Sequence, residues 1–121
     1  VRFRQVSAGL LGATAVALGA FGAHGLKERL ALLPDAPGWW QTATIYLLIH
    51  AVALGAIVLP QGGRLAAWQT HCWGWGSIIF SGTLYAMALG APRWLGAITP
   101  VGGLLLIVGW VLMVWAGRKE S

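Results

Sequence analysis

The eight basic and three acidic residues of this 121-residue chain stand at a few places only: Arg2 and Arg4, Lys27 to Arg29, Asp35, Arg64, Arg93, and Arg118 to Glu120. Between them, Gln5 to Leu26, Ala36 to Gly63, Leu65 to Pro92 and Trp94 to Gly117 carry no charge. Each run is long enough for the ~20 apolar residues with which a helix crosses a ~30 Å hydrocarbon core. Lipid offers backbone groups no hydrogen bonds, so only helices and closed barrels span it, and these runs lack the alternation of barrel strands. The expected fold is all-α: an integral membrane four-helix bundle forming a single domain over 1–121, with spans of about 6–23, 40–59, 65–89 and 100–117. Composition agrees, at 58% hydrophobic, 9% charged and a mean hydropathy of +0.74. A soluble domain of this size needs more charge to cover its surface.

The first span is built from "SAGLLGATAVALGAFGA", where Ala8 and Gly12, then Ala15, Gly19 and Ala23, repeat small residues at four-residue spacing. Such a stripe lets another backbone approach closely, which predicts a first span packed inside the bundle. A cleaved signal peptide is the competing reading, since Arg2 and Arg4 precede the apolar stretch, but Val6 to Ala23 exceeds the usual ~7–15-residue apolar core of a signal. In the first loop, Leu26, Leu30 and Leu33 share a face opposite Lys27 and Glu28, predicting a short interfacial helix ended by Pro34 and Pro37. Trp39 and Trp40 then anchor the second span at headgroup level. "PQGGR", Pro60 to Arg64, predicts a tight turn that makes the second and third spans antiparallel neighbours. Thr99 followed by Pro100 reads as the cap and first residue of the fourth span, in which Gly102, Gly109 and Ala116 form a second close-packing seam.

Lys and Arg number five on the side of both termini and the second loop (Arg2, Arg4, Arg64, Arg118, Lys119) and three opposite (Lys27, Arg29, Arg93), which favours cytoplasmic termini. The net charge of +5 is scattered over both ends. Without a basic stripe there is no nucleic-acid surface, and anchoring at anionic headgroups accounts for these residues.

Chemical resources are few. Cys72 stands alone, without a disulfide or metal partner in sequence, and is expected to pack as a small apolar residue. No nucleotide-binding or zinc-protease motif occurs, and no acid lies within a span, so neither paired carboxylates nor a buried acid is available for hydrolysis or proton pumping. The expectation is a chain without catalytic residues, metal site or cofactor. What remains is a candidate intramembrane polar cluster of Thr14, Tyr46, His50, Ser77, Ser81 and Tyr85. Thr42, Tyr46 and His50 follow four-residue steps, as do Ser77, Ser81 and Tyr85, so two polar stripes can face each other.

His50 lies near mid-span, where burial disfavours its charged form, so a neutral imidazole hydrogen-bonded toward the first or third span is expected. The cluster then serves one of two ends: interhelical hydrogen bonds that specify packing, or a site for a lipid, a quinone-like molecule or a translocated proton. A third reading makes His50, with His71 about a turn away in depth, an axial ligand for haem or chlorin. His24, at the outer interface, is expected to be solvated.

Four blocks carry a resemblance to a known family: "GAFGAHGL" (Gly19 to Leu26), "GWWQTATIYLLIHAVAL" (Gly38 to Leu54), "FSGTLYAMAL" (Phe80 to Leu89) and "TPVGGLLLIVGW" (Thr99 to Trp110). Together they are similar to the YgdD-like family of small bacterial inner-membrane proteins of unknown function, which has a eukaryotic transmembrane counterpart. Here Tyr46 is flanked by Ile45 and Leu47, where members of that family often place a polar neighbour. The resemblance implies a four-helix protein of the inner membrane and carries over no catalytic residue. The expected role is a structural or accessory membrane subunit, or an oligomer, whose partners are the bilayer, further copies or a larger membrane complex. The alternative is a small-molecule, lipid or proton conduit through the His/Tyr/Ser cluster.

Overall fold

The computed structural model describes residues 2–57, 59 and 62–120, with side chains as far as Arg118. It contains four long helices, α1 (Phe3–Ala23), α3 (Ala36–Ala56), α4 (Gly63–Ala88) and α5 (Thr99–Glu120), and one short helix, α2 (Lys27–Leu30). A 3-10 turn over Arg93–Ala97, which the sequence did not announce, leads into α5. The long helices correspond to the four expected spans, and the described residues contain no strand. By length and hydropathy, Phe3–Ala23 and Arg93–Arg118 are each apolar enough to cross a membrane. α3 and α4 carry more polar groups, and most of these are turned toward neighbouring helices.

Helices pack in chain order: α1 on α3, α3 on α4, α4 on α5, with a much smaller contact between α1 and α4. Along α3 a buried seam of Ala36, Trp40, Ala43, Leu47, His50 and Leu54 is spaced alternately by four and three, which keeps it on one face, and Ala51 and Ala53 widen the buried surface near the end of the helix. α4 has two buried faces. Toward α3 it presents Ser77, Ser81 and Tyr85, and toward α5 it presents Gln69, Trp73 and Gly76.

The α4–α5 contact is the closest in the molecule. Gly76 and Gly102 bring the two backbones so near that a Cβ on Gly102 would lie 2.9 Å from the Gly76 carbonyl oxygen and collide with the backbone of Phe80. One two-turn step on, Gly109 lies under the indole of Trp73, and Ala116 is buried beyond it. The expected seam of Gly102, Gly109 and Ala116 is therefore real. It works because a missing side chain admits either a backbone or a whole indole.

α1 departs from expectation. Its small residues do meet α3, with Gly12 against Ala51, Gly19 against Thr44, Gly22 under the Trp40 indole and Ala8 against Gly55. Yet Ala15 is its only buried residue, and Leu10 and Val16 point outward at 66% and 64% exposure. The helix lies at the edge of the bundle, not inside it, because a small-residue stripe needs one close partner and no more.

The short helix predicted in the first loop is present, with Leu30 buried and Leu26 and Leu33 packed on the core. Pro37 does not end that helix but sits in the first turn of α3, where its missing N–H and fixed φ suit a helix start. Pro60 and Gln61 of the predicted turn lie outside the described residues. Its other half shows why glycine is needed, since Gly62 and Gly63 take φ of 56° and 57°. Thr99 is not a cap: it is the first residue of α5, and its hydroxyl lies 2.6 Å from that of Thr83, pinning the far end of α4 to α5.

Replacing Gly102 by Ala is expected to destabilise the bundle by about 1–3 kcal/mol through overpacking. Gly82→Ala, in open space on α4, should be neutral or slightly stabilising through helix propensity. Unfolding titrations in mixed detergent, followed by circular dichroism, distinguish the two.

Candidate functional site

The largest set of converging polar groups is built around Arg4, in the first turn of α1. Its Nε donates to the Leu54 carbonyl (2.9 Å), Nη1 to Thr70 Oγ1 (3.1 Å), and Nη2 to Gln69 Oε1 (3.0 Å) and to the Ile57 carbonyl. Leu54 and Ile57 belong to the last turn of α3 and its C-cap, where carbonyls lack intrahelical partners and the helix dipole is negative. Arg4 is thus a capping group supplied by another helix. Gln69, fully buried, passes the contact on by donating from Nε2 to the Gly109 carbonyl of α5 (3.1 Å). The guanidinium also lies 5.7 Å from the ring centroid of Trp73. Through one side chain and its neighbours, α1, α3, α4 and α5 meet at the end of the bundle that carries the N-terminus.

His50 forms a second centre one to two turns deeper. Its Nδ1 lies 2.7 Å from the Tyr46 carbonyl, and its Nε2 lies 3.0 Å from the indole Nε1 of Trp110. An indole N–H can only donate and a carbonyl only accept, so the imidazole is neutral, with its proton on Nδ1. Trp73 and Trp110 enclose the ring at centroid distances of 6.1 and 5.8 Å. The expected hydrogen bond toward the first or third span is instead made to the fourth, because Trp110 reaches across from α5. Sequence spacing on α3 gives no hint of that reach.

The rest of the expected cluster divides. Ser81 Oγ donates to the Ala43 carbonyl (2.7 Å). The Tyr85 hydroxyl lies 2.7 Å from Thr44 Oγ1, which donates its own proton to Trp40, so Tyr85 is the donor of that pair. Tyr46 stands at the edge, 43% exposed, with its ring over Phe80 at 4.7 Å and stacked with His50 at 6.3 Å. Ser77 is fully buried, and among the described residues its hydroxyl has no hydrogen-bond partner. Thr14 does not join the group. It faces outward on the exposed side of α1 and bonds only to its own helix, at Leu10. The facing stripes are therefore Thr44 and Ala43 against Tyr85 and Ser81, one position round the α3 helix from the stripe expected.

With both His50 nitrogens engaged within the chain, no lone pair is left for a haem iron or chlorin magnesium. His71 lies on the exposed side of α4, accepting from the Trp75 indole at 3.3 Å with the Phe3 ring 5.6 Å away. Among the described residues no three metal-ligating side chains converge. His24 is exposed at the carboxyl end of α1, as expected, and Cys72 is a half-buried free thiol.

Arg4 with Gln69 and Thr70 is what sequence reasoning missed, having treated Arg4 as a headgroup anchor. One signal was present: Gln69-Thr70 is the only Gln-Thr pair in the third apolar run, and it sits near the same end as Arg4.

Long helices joined through glycine seams and hydrogen bonds between neighbouring helices, two of them apolar enough to cross a bilayer, define a small helical membrane protein. Residues 18–103 match the family described as "Protein of unknown function (DUF423)". A UPF0382 membrane protein of Staphylococcus epidermidis is 42% identical over 109 residues, covering 87% of this chain and 86% of the relative. The UPF0382 inner membrane protein YgdD of Escherichia coli K12 is 35% identical over 116 residues, or 93% and 87%. A UPF0382 membrane protein of Schizosaccharomyces pombe is 38% identical over 112 residues, or 88% and 94%. The chain belongs to this DUF423/UPF0382 family of membrane proteins of unknown function. No solved structure matches it.

Arg4→Ala is expected to lower stability by about 1–3 kcal/mol, the cost of leaving acceptors on α3 and α4 without their shared donor. Arg4→Lys should recover only part, because one ammonium cannot span acceptors on α3 and α4 together. Trp110→Phe, which strands His50 Nε2, should cost about 1 kcal/mol. Detergent unfolding titrations measure all three.

Proposed function

We propose that the chain is a non-catalytic, multi-pass protein of the bacterial inner membrane that acts as a structural or accessory subunit, or as an oligomer. The observation that carries this reading is where the polar groups are spent. His50, Ser81, Tyr85 and Gln69 each bond to a backbone or side chain of the same molecule, and nearly all of these bonds hold helices together. A conduit needs polar groups in series with room for water or a solute between them. Here the corresponding depth is filled by Trp73, Trp110 and Phe80.

Outward faces of α1 and α5 carry Leu10, Val16, Leu104, Ile107, Val111 and Val114, an apolar surface suited to lipid or to a neighbouring membrane helix. Passage of all four long helices through the bilayer is supported by their antiparallel order and by charges gathered at the two ends. Arg2, Arg4, Arg64 and Arg118 share one end with both termini, and Lys27, Arg29 and Arg93 share the other, favouring cytoplasmic termini.

Purification in mild detergent is expected to recover a discrete complex, either homo-oligomeric or with a partner; a lone monomer at physiological abundance would overturn the subunit role. In liposomes, proton flux should equal that of protein-free vesicles; flux that collapses in a folded His50→Leu variant would establish the conduit instead. Single cysteines introduced at Gly117 and Glu28 into a Cys72→Ala background should be labelled from opposite sides of the membrane, Gly117 from the cytoplasm.

A further inference from the structure

α1 and α4 both lean on α3 and scarcely touch each other, and the cleft left between them is not uniform. At the end bearing the N-terminus is a hollow of about 540 Å³ whose polar lining comes from Arg2, Arg4, Gln5, Thr70 and His71. Sharing Phe3, Thr70 and His71 as a common wall, a second hollow of about 250 Å³ runs on between the helices, lined by Ser7, Leu10, Leu11, Gly74, Trp75 and Ile78. From Phe3 to Leu11 and from His71 to Ile78 the lining residues advance along their helices by roughly 10–12 Å at ~1.5 Å per residue. The first hollow is basic; the second is almost wholly apolar.

Three observations give the basic end its chemistry. The acceptors that hold Arg4 are all neutral, and the ion pair found among the described residues, Asp35 with Arg93, lies at the other end of the bundle. Of the five guanidinium N–H groups, one on Nη1 has no acceptor among the described residues. Arg2 stands beside it at the start of α1, where the first-turn amides have neither a side-chain cap nor an acidic residue, so the dipole adds positive potential at the same place. Partly buried positive charge without a carboxylate partner favours an anion from outside the chain.

The apolar end is open where it matters. Gly74 faces the cleft, and a Cβ built there meets nothing within 4 Å. The space is therefore not filled by the protein's own side chains, unlike that at Gly76, Gly102 and Gly109.

We infer that the α1–α4 cleft is a binding site for one anionic phospholipid, with its phosphate between Arg2, Arg4 and His71 and an acyl chain laid past Gly74 between Leu10 and Ile78. A basic pocket between spanning helices at the cytoplasmic side, opening into an apolar slot, matches such a lipid in both charge and shape. A soluble phosphate would use only the first hollow, and an apolar helix only the second. The inference rests on the membrane placement proposed above and not on the accessory role.

The test adds phosphatidylglycerol, or phosphatidylcholine with the same acyl chains, to the purified detergent-solubilised protein and counts retained lipid by native mass spectrometry. Phosphatidylglycerol should be retained about tenfold more tightly. Arg2→Gln should weaken it about fivefold, the effect of one basic residue near an anionic headgroup. Gly74→Leu, which fills the slot one turn beyond Thr70 and leaves every Arg4 acceptor in place, should abolish retention with an unchanged melting profile; Ser7→Leu serves the same purpose if Gly74→Leu does not fold. Equal retention of the two lipids overturns the proposal, as does retention that survives both fillings. So does displacement by glycerol 3-phosphate at the lipid's own concentration, which marks an anion site alone, or a dimer that Gly74→Leu dissociates, which marks a second copy in the cleft. Should the protein fail to sediment with membranes, the membrane placement falls first.

Discussion

Arg4 holds the bundle together at the end where all four long helices begin or finish. Its guanidinium completes the carboxyl end of α3, binds α4 through Gln69 and Thr70, and reaches α5 through Gln69. A planar, always-charged group with donors on every nitrogen is the one side chain able to meet so many acceptors at once. The cost of removing it from water is offset by charge-assisted bonds and by the negative end of the α3 dipole. Other contacts at that end follow: Trp73 can sit beneath the guanidinium because Gly109 leaves its indole room.

Away from Arg4, cohesion comes from small residues more than from hydrogen bonds. In lipid the apolar environment outside a helix matches the one inside, so close contact, not burial from water, holds helices together. The glycines of α5 serve that end by admitting the Gly76 backbone and the Trp73 indole. His50, Ser81, Tyr85 and Thr83 then fix which helix faces which, each bond contributing on the order of 0.6 kcal/mol. An interior polar group in this protein specifies register first.

Much of this was legible in the chain itself. Gaps between charges gave helix number and bounds, since lipid tolerates few alternatives, and the spacing of Gly102, Gly109 and Ala116 marked a true seam. The illegible parts depend on how helices are rotated and arranged about one another. Thr14 and Thr44 look equivalent as hydroxyls in apolar runs, yet one faces outward and the other receives Tyr85, because α1 packs chiefly on α3 whereas α3 packs on both α1 and α4. Nothing in the spacing of the fourth span singles out Trp110, and only the placement of α5 shows it reaching His50. Arg4 is hidden for a different reason: near a span terminus, a basic residue is so often an anchor that sequence alone ranks it as nothing more.

The dependence of Arg4 on residues 54–70 bears on how the molecule is made. α1 leaves the ribosome before α3, α4 and α5, and the acceptors of its arginine are synthesised some fifty to sixty-six residues later. The glycine and alanine stripe of α1 waits only for α3, whereas the charge must stay at the headgroups until Gln69 and Thr70 are made. Assembly can therefore follow the order of synthesis: α1 meets α3 and is locked by the start of α4 once Thr70 is made, and α5, which follows both, closes on α4 afterwards at Gly76 and Gly102.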